Sequence, residues 1–179
     1  MKHFILLCVA LLWSCALVSG NMISLAQKMN ERLGYMKDVA GYKAQHHLPV
    51  EDVIQESKVI NSSLTEAVSL GLDAESTRPF VIAQIDAAKA IQYRYRADWL
   101  SIPEVEWEPE PLEVVREKIA SLSSEILQQL ALQIGEGLIC VDEREGFVSH
   151  LAQKNLYCAD KMRLFDSLLC VRPLSNDNN

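Results

Sequence analysis

The stretch Met29 to Lys43, MNERLGYMKDVAGYK, decides how the rest of the chain is read. Arg32 and Lys43 stand eleven residues apart, and at about 100° per residue that brings them to within about 20° of one another around a helix. Leu25, Met29, Met36 and Val39 fall within about 60° of the same direction, so two cations occupy a face that is otherwise apolar and turns inward. A buried charge without a partner is costly, and arginine does not readily release its proton. Three readings follow. The side chains snorkel to the edge of the stripe, they join a structural network with the carboxylates of Asp52 and Glu56, or they line a pocket for a small polyanion.

The chain has 179 residues, 49% hydrophobic and 23% charged, enough for one domain with a sizeable core. A net charge of -7 with no basic run excludes a nucleic-acid surface, so an anionic ligand needs a local cationic pocket. Residues 1–20 read as a signal peptide: Lys2, an apolar run from Phe4 to Val18, then small residues before a cut ahead of Asn21. A lipoprotein cut before Cys15 is disfavoured by the bulky Trp13. No second apolar run of membrane length follows, which predicts an exported domain over 21–179 with no membrane role after cleavage.

The spacing predicts an all-α fold of about six helices, with no strand pattern. The first runs over 24–45 and ends before Pro49; the second starts near Pro49 and reaches Ser69, with Val53, Ile60, Leu64 and Val68 inward and Gly71 as its stop. Asp73 and the Ser76-Thr77 pair are capping candidates for a third, which runs to Trp99 with Val81, Ile85, Ala88, Gln92, Tyr95 and Trp99 as its seam. Gln92 is a polar group in the middle of that seam and wants a partner. A Pro- and Glu-rich connector over 101–111 separates these three long helices from a C-terminal helical half. There the fourth helix spans 112–134, with Val115, Ile119, Leu122, Ile126 and Leu130 inward and Arg116 beside the first of them. Two shorter helices over 142–154 and 159–171 precede a disordered tail over 175–179.

Cys140, Cys158 and Cys170 remain after the signal, in an oxidising setting that allows one bridge. Cys158 and Cys170 on one helix would lie about 18 Å apart, which makes Cys140 one partner and leaves the other open. No His or Cys spacing resembles a metal site, and the adjacent His46 and His47 read as loop residues. The serines sit in polar contexts and no Gly-rich phosphate loop is present, which points away from nucleophilic and nucleotide chemistry.

The unusual positions Arg32, Lys43, Asp52, Glu56 and Gln92 lie on three consecutive helices. The motifs that hold them, NERLGYMKDVAGYK, HHLPVED and IDAAKAIQYRY, resemble the all-helical chorismate mutases, in particular their secreted and periplasmic subclass. The resemblance covers the whole mature chain. It implies rearrangement of chorismate to prephenate without a cofactor, in a periplasmic or secreted homodimer whose site lies within one subunit. Arg32 then matches an arginine on a substrate carboxylate, Lys43 a lysine reaching a carboxylate and the ether oxygen, and Gln92 a second donor to that oxygen. Asp52 and Glu56 match an acidic pair near the substrate hydroxyl, and Arg116 matches an arginine on the other carboxylate. Gln55 stands where the family commonly has a further arginine, and Ala88 where it has a small hydroxyl residue. The resemblance also implies a Cys140–Cys170 bridge and a buried free thiol at Cys158. The alternative is a secreted binding protein of the same fold that has lost activity, with Gln55 and Ala88 as early signs. Four polar groups kept facing a core, Arg32, Lys43, Gln92 and Arg116, favour the enzyme.

Overall fold

The computed structural model describes residues 20–175. Residues 1–19 of the expected signal peptide and 176–179 of the expected tail lie outside them. The first helical run consists of α1 (20–34) and α2 (Met36–Gln45), joined through Tyr35, whose backbone stays in the right-handed region so that Val39 N still donates to its carbonyl. Leu25, Met29, Met36 and Val39 are buried on one face of this run, and Arg32 and Lys43 are buried among them.

The second helix, α3 (Val53–Ser69), starts later than Pro49 because Asp52 caps it, accepting from Gln55 N through its side chain at 3.0 Å. Its inward face is also corrected. Ser63, Leu64 and Ala67 are buried, whereas Val53 and Val68 are 72% and 42% exposed, since α3 meets α4 and α5 along the Ser63–Leu64–Ala67 line. Gly71, at φ 82°, takes the left-handed conformation that stops the helix without a side-chain penalty.

The long helix α4 (Ala74–Ser101) is the axis of the fold and packs against α2, α3 and α7. Asp73 caps it as predicted, receiving Ser76 N at 2.8 Å. The seam is buried from Val81 to Tyr95, with Trp99 only partly covered. The connector is strapped onto α2 and does not hang free. Trp107 lies so close to Gly41 that a Cβ there would sit 2.6 Å from its ring, Lys37 stacks over the same ring at 4.1 Å, and Glu110 N donates to Asp38. That docking sets where α5 (Leu112–Glu136) begins. Val115, Leu122, Ile126 and Leu130 of α5 are buried, with Ile119 packed against the core.

The C-terminal half is shorter than its pattern suggests. A 3-10 turn (Val141–Glu143) leads into α6 (Arg144–Ser149), and α7 (Cys158–Leu168) covers α4 with Leu164, Phe165 and Leu168. The chain then returns to the α3–α4 turn, where Leu174 N donates to Gly71 O at 2.7 Å. One cysteine expectation is corrected: Cys158 is exposed and not buried. Cys140, Cys158 and Cys170 are all free and exposed; the Cys140 and Cys170 sulfurs each face a carbonyl of their own segment, Leu138 O and Asp166 O, and Cys158 opens α7 on its outer side.

Candidate active site

All eight residues singled out for a substrate site, Arg32, Lys43, Asp52, Gln55, Glu56, Ala88, Gln92 and Arg116, line one cavity of about 360 Å3 between α1, α2, α3, α4 and α5. Its lining includes the apolar Val39, Ile85 and Leu112, and its charged groups come from different helices. The geometry therefore depends on packing rather than on any single motif.

The two inward cations are left short of partners. Arg32 makes one hydrogen bond among the described residues, from Nε to Ser123 Oγ at 2.9 Å, and its Nη1 is buried without any. Burial pulls its guanidinium down to about 10, still cationic at neutral pH. Lys43 donates to Val50 O at 2.6 Å, which aims the ammonium and leaves two of its three hydrogens for a ligand. Burial lowers the Lys43 pKa, partly offset by the negative Asp52 nearby.

A structural network of Arg32 and Lys43 with Asp52 and Glu56 is not what forms. Each carboxylate divides its oxygens between capping α3 and meeting a cation from another helix. Asp52 Oδ1 caps Gln55 N while Oδ2 receives Arg116 Nη2 at 2.9 Å; Glu56 Oε1 receives Asp52 N at 3.2 Å while Oε2 receives Lys89 Nζ at 3.0 Å. The cap comes first among the causes that hold the Asp52 carboxyl below its usual range, and Arg116 and Lys43 add to it. The acidic pair is thus occupied by Arg116 and Lys89, and neither Arg32 nor Lys43 is in an ion pair among the described residues.

Gln92 donates to Ala88 O at 3.2 Å and to Met36 Sδ at 3.6 Å, and its Oε1 is buried without a partner. Turning the amide over would place the NH2 where Oε1 stands, at the loss of its bond to Ala88 O. Two of the buried polar atoms without partners thus belong to this one cavity, Arg32 Nη1 and Gln92 Oε1. Buried polar groups are normally satisfied by the protein or by ordered water, so this pairing marks a place for a polar ligand.

Sequence reasoning missed Ser123, Lys89 and the Val50 carbonyl. Ser123 lies seven residues after Arg116, two turns along the same face of α5, so helical register from Arg116 finds it. Lys89 lies between Ile85 and Gln92 on the face of α4 that lines the cavity. The Val50 carbonyl leaves no trace in side-chain identity.

Comparison with known proteins converges on one family. The family model for chorismate mutase type II matches residues 23–93. The chain is 52% identical over 148 residues to the secreted chorismate mutase of Yersinia pestis, covering 82% of this chain and 80% of that one. It is 38% identical over 174 residues to a monofunctional chorismate mutase of Enterobacter agglomerans, covering 94% and 96% of the two chains. The crystal structure of the Yersinia pestis protein superimposes with a TM-score of 0.78 over 83% of this chain and 97% of that one, at 51% identity. A chorismate mutase structure from Burkholderia phymatum shares the fold with a TM-score of 0.74, covering 84% and 97% of the chains at 24% identity.

Proposed function

The chain belongs to the chorismate mutase family, and on that premise we propose that this cavity holds chorismate for its [3,3] rearrangement to prephenate, in an exported homodimer. The observation that carries the reading is the pair of buried cations without ion-pair partners among the described residues, on the wall of a cavity of substrate size.

The reaction breaks the ether carbon–oxygen bond as a carbon–carbon bond forms. It needs no proton transfer and no covalent intermediate, only a flexible dianion held with its two reacting carbons close together. Arg32 and Arg116 suit the two carboxylates, because a guanidinium fork fixes orientation as well as position. Arg116 keeps donors free after its bond to Asp52. As the ether bond breaks, negative charge grows on its oxygen. Lys43, aimed by Val50 O, and Gln92, with its amide turned to donate, then bind the transition state more strongly than the substrate. Asp52 and Glu56 sit at the α3 end of the cavity, near the substrate hydroxyl in this pose, with Gln55 and Ala88 completing the wall. The loss of one charge-assisted bond at Gln55 slows the enzyme without removing the two donors to the ether oxygen.

A continuous ultraviolet assay of chorismate loss with residues 21 to 179 tests the reading, with prephenate identified as product. Wild type should turn over, and Lys43→Ala should lose about 10²- to 10³-fold in rate with little change in melting. No turnover by the wild type, or an undiminished Lys43→Ala, would sink the proposal. Light scattering at twice the monomer mass, and a mature terminus near Asn21 on protein recovered outside the cytoplasm, check the assembly and the export.

A further inference from the structure

Resting on that reading, we propose that Ser123 is a positioning residue for the reaction: its hydroxyl holds the Nε edge of Arg32, so that a substrate carboxylate is received end-on by the two Nη groups. Ser123 Oγ donates to Ile119 O at 2.7 Å and accepts from Arg32 Nε at 2.9 Å. The one hydroxyl hydrogen is committed to the carbonyl one turn back, so toward the guanidinium the oxygen can only accept. The direction of the contact is thereby set by the helix.

Back-bonding of a serine to the carbonyl four residues earlier is common on helices, and Ser57 does the same to Val53 O on the exposed side of α3. Ser123 differs because its oxygen also meets a buried cation from α1, 91 residues away along the chain. A guanidinium can offer a carboxylate either its Nε side or its Nη end. With Nε taken, the end remains, and Nη1 is the buried group still without a partner. Both Arg32 and Ser123 line the cavity. One helix, α5, thereby serves both ends of a dianion, Arg116 directly and Arg32 through Ser123.

The test is a cycle of Ser123→Ala and Ser123→Thr made in the wild type and in Arg32→Lys, which lacks Nε. Ser123→Ala should lower kcat/KM by about tenfold at nearly unchanged melting, and Ser123→Thr, which keeps the oxygen, should restore most of that loss. In the Arg32→Lys background Ser123→Ala should add less than about twofold, because the contact it removes is already gone. An unimpaired Ser123→Ala, or an equal loss in both backgrounds, would overturn the proposal. The Arg32 Nε–H resonance separates this from the reading beneath it. If wild type does not consume chorismate the family-based reading fails, while the tether still stands if that proton is protected in wild type and exchanges freely in Ser123→Ala, and falls if both behave alike.

Discussion

Two arginines reach inward from helices and meet opposite fates. Arg94, on the side of α4 that faces α7, is consumed by the chain: its Nη groups fork onto Asp160, Nη1 also donates to Asn155 O at 2.7 Å, and the guanidinium stacks over Tyr157 at 3.9 Å. Arg32 is more deeply buried, yet among the described residues it is answered by a single hydroxyl. A cation whose fork is filled from its own chain is holding helices together. One left open in a cavity is waiting for an anion, and its burial without a counter-charge costs stability that a ligand recovers.

Breaking the comparison from the Arg32 side gives the largest effect. Arg32→Met should lower kcat/KM by about 10²-fold or more while raising the melting temperature, since an under-paired buried charge is exchanged for an apolar side chain of similar length. A fall in both would mean that Arg32 is structural after all. Gln55→Arg sharpens the contrast by adding an open fork at the cavity wall, and kcat/KM should rise about tenfold. An unchanged or lower value would show a pocket rebuilt around the glutamine.

The Arg94 side predicts the reverse pattern. Arg94→Ala should leave kcat/KM within about twofold but cost about 2 kcal/mol, or about 4 to 8 °C in Tm for a chain of this size, read by calorimetry. The smallest effect is on pH. Gln92 is an amide that donates without being protonated, so the rate should be flat across neutral pH, and a rate that peaked only below about pH 5 would reject that role. On the alkaline side the rate should fall below the ordinary lysine value of 10.5, because burial lowers the Lys43 pKa. Lys43 and Arg32 both hold fewer protons when folded than when unfolded in that window, so their contribution to stability rises with pH there. Activity lost on the alkaline side without loss of melting temperature would therefore identify deprotonation rather than unfolding.

Legibility differed between the two halves for a physical reason. The first helical run, the α4 seam and α5 carry long stretches of helical period, and a polar residue inside such a period stands out, which is how Arg32, Lys43, Gln92 and Arg116 were visible. After Gly137 the helices are two or three turns long, too short for a period to be distinguished from chance, and their bounds came out shorter than expected. The inward face of α3 was misread because Val53 is apolar yet stands 72% exposed in the first turn of the helix, ahead of the Ser63–Leu64–Ala67 line that packs. Cys158, implied to be a buried thiol, instead opens α7 on the surface.

By itself, then, the sequence determined an all-helical chain with cations and an amide built into apolar faces, and motifs particular enough to imply a family, because periodicity and residue type are local properties. Only the tertiary structure decided which cation each acid serves. It assigned Asp52 to Arg116 and Glu56 to Lys89, left Arg32 to Ser123, and aimed Lys43 with the Val50 carbonyl. Those choices join residues from different helices, and they follow from distances of a few ångströms that exist only after the helices have packed.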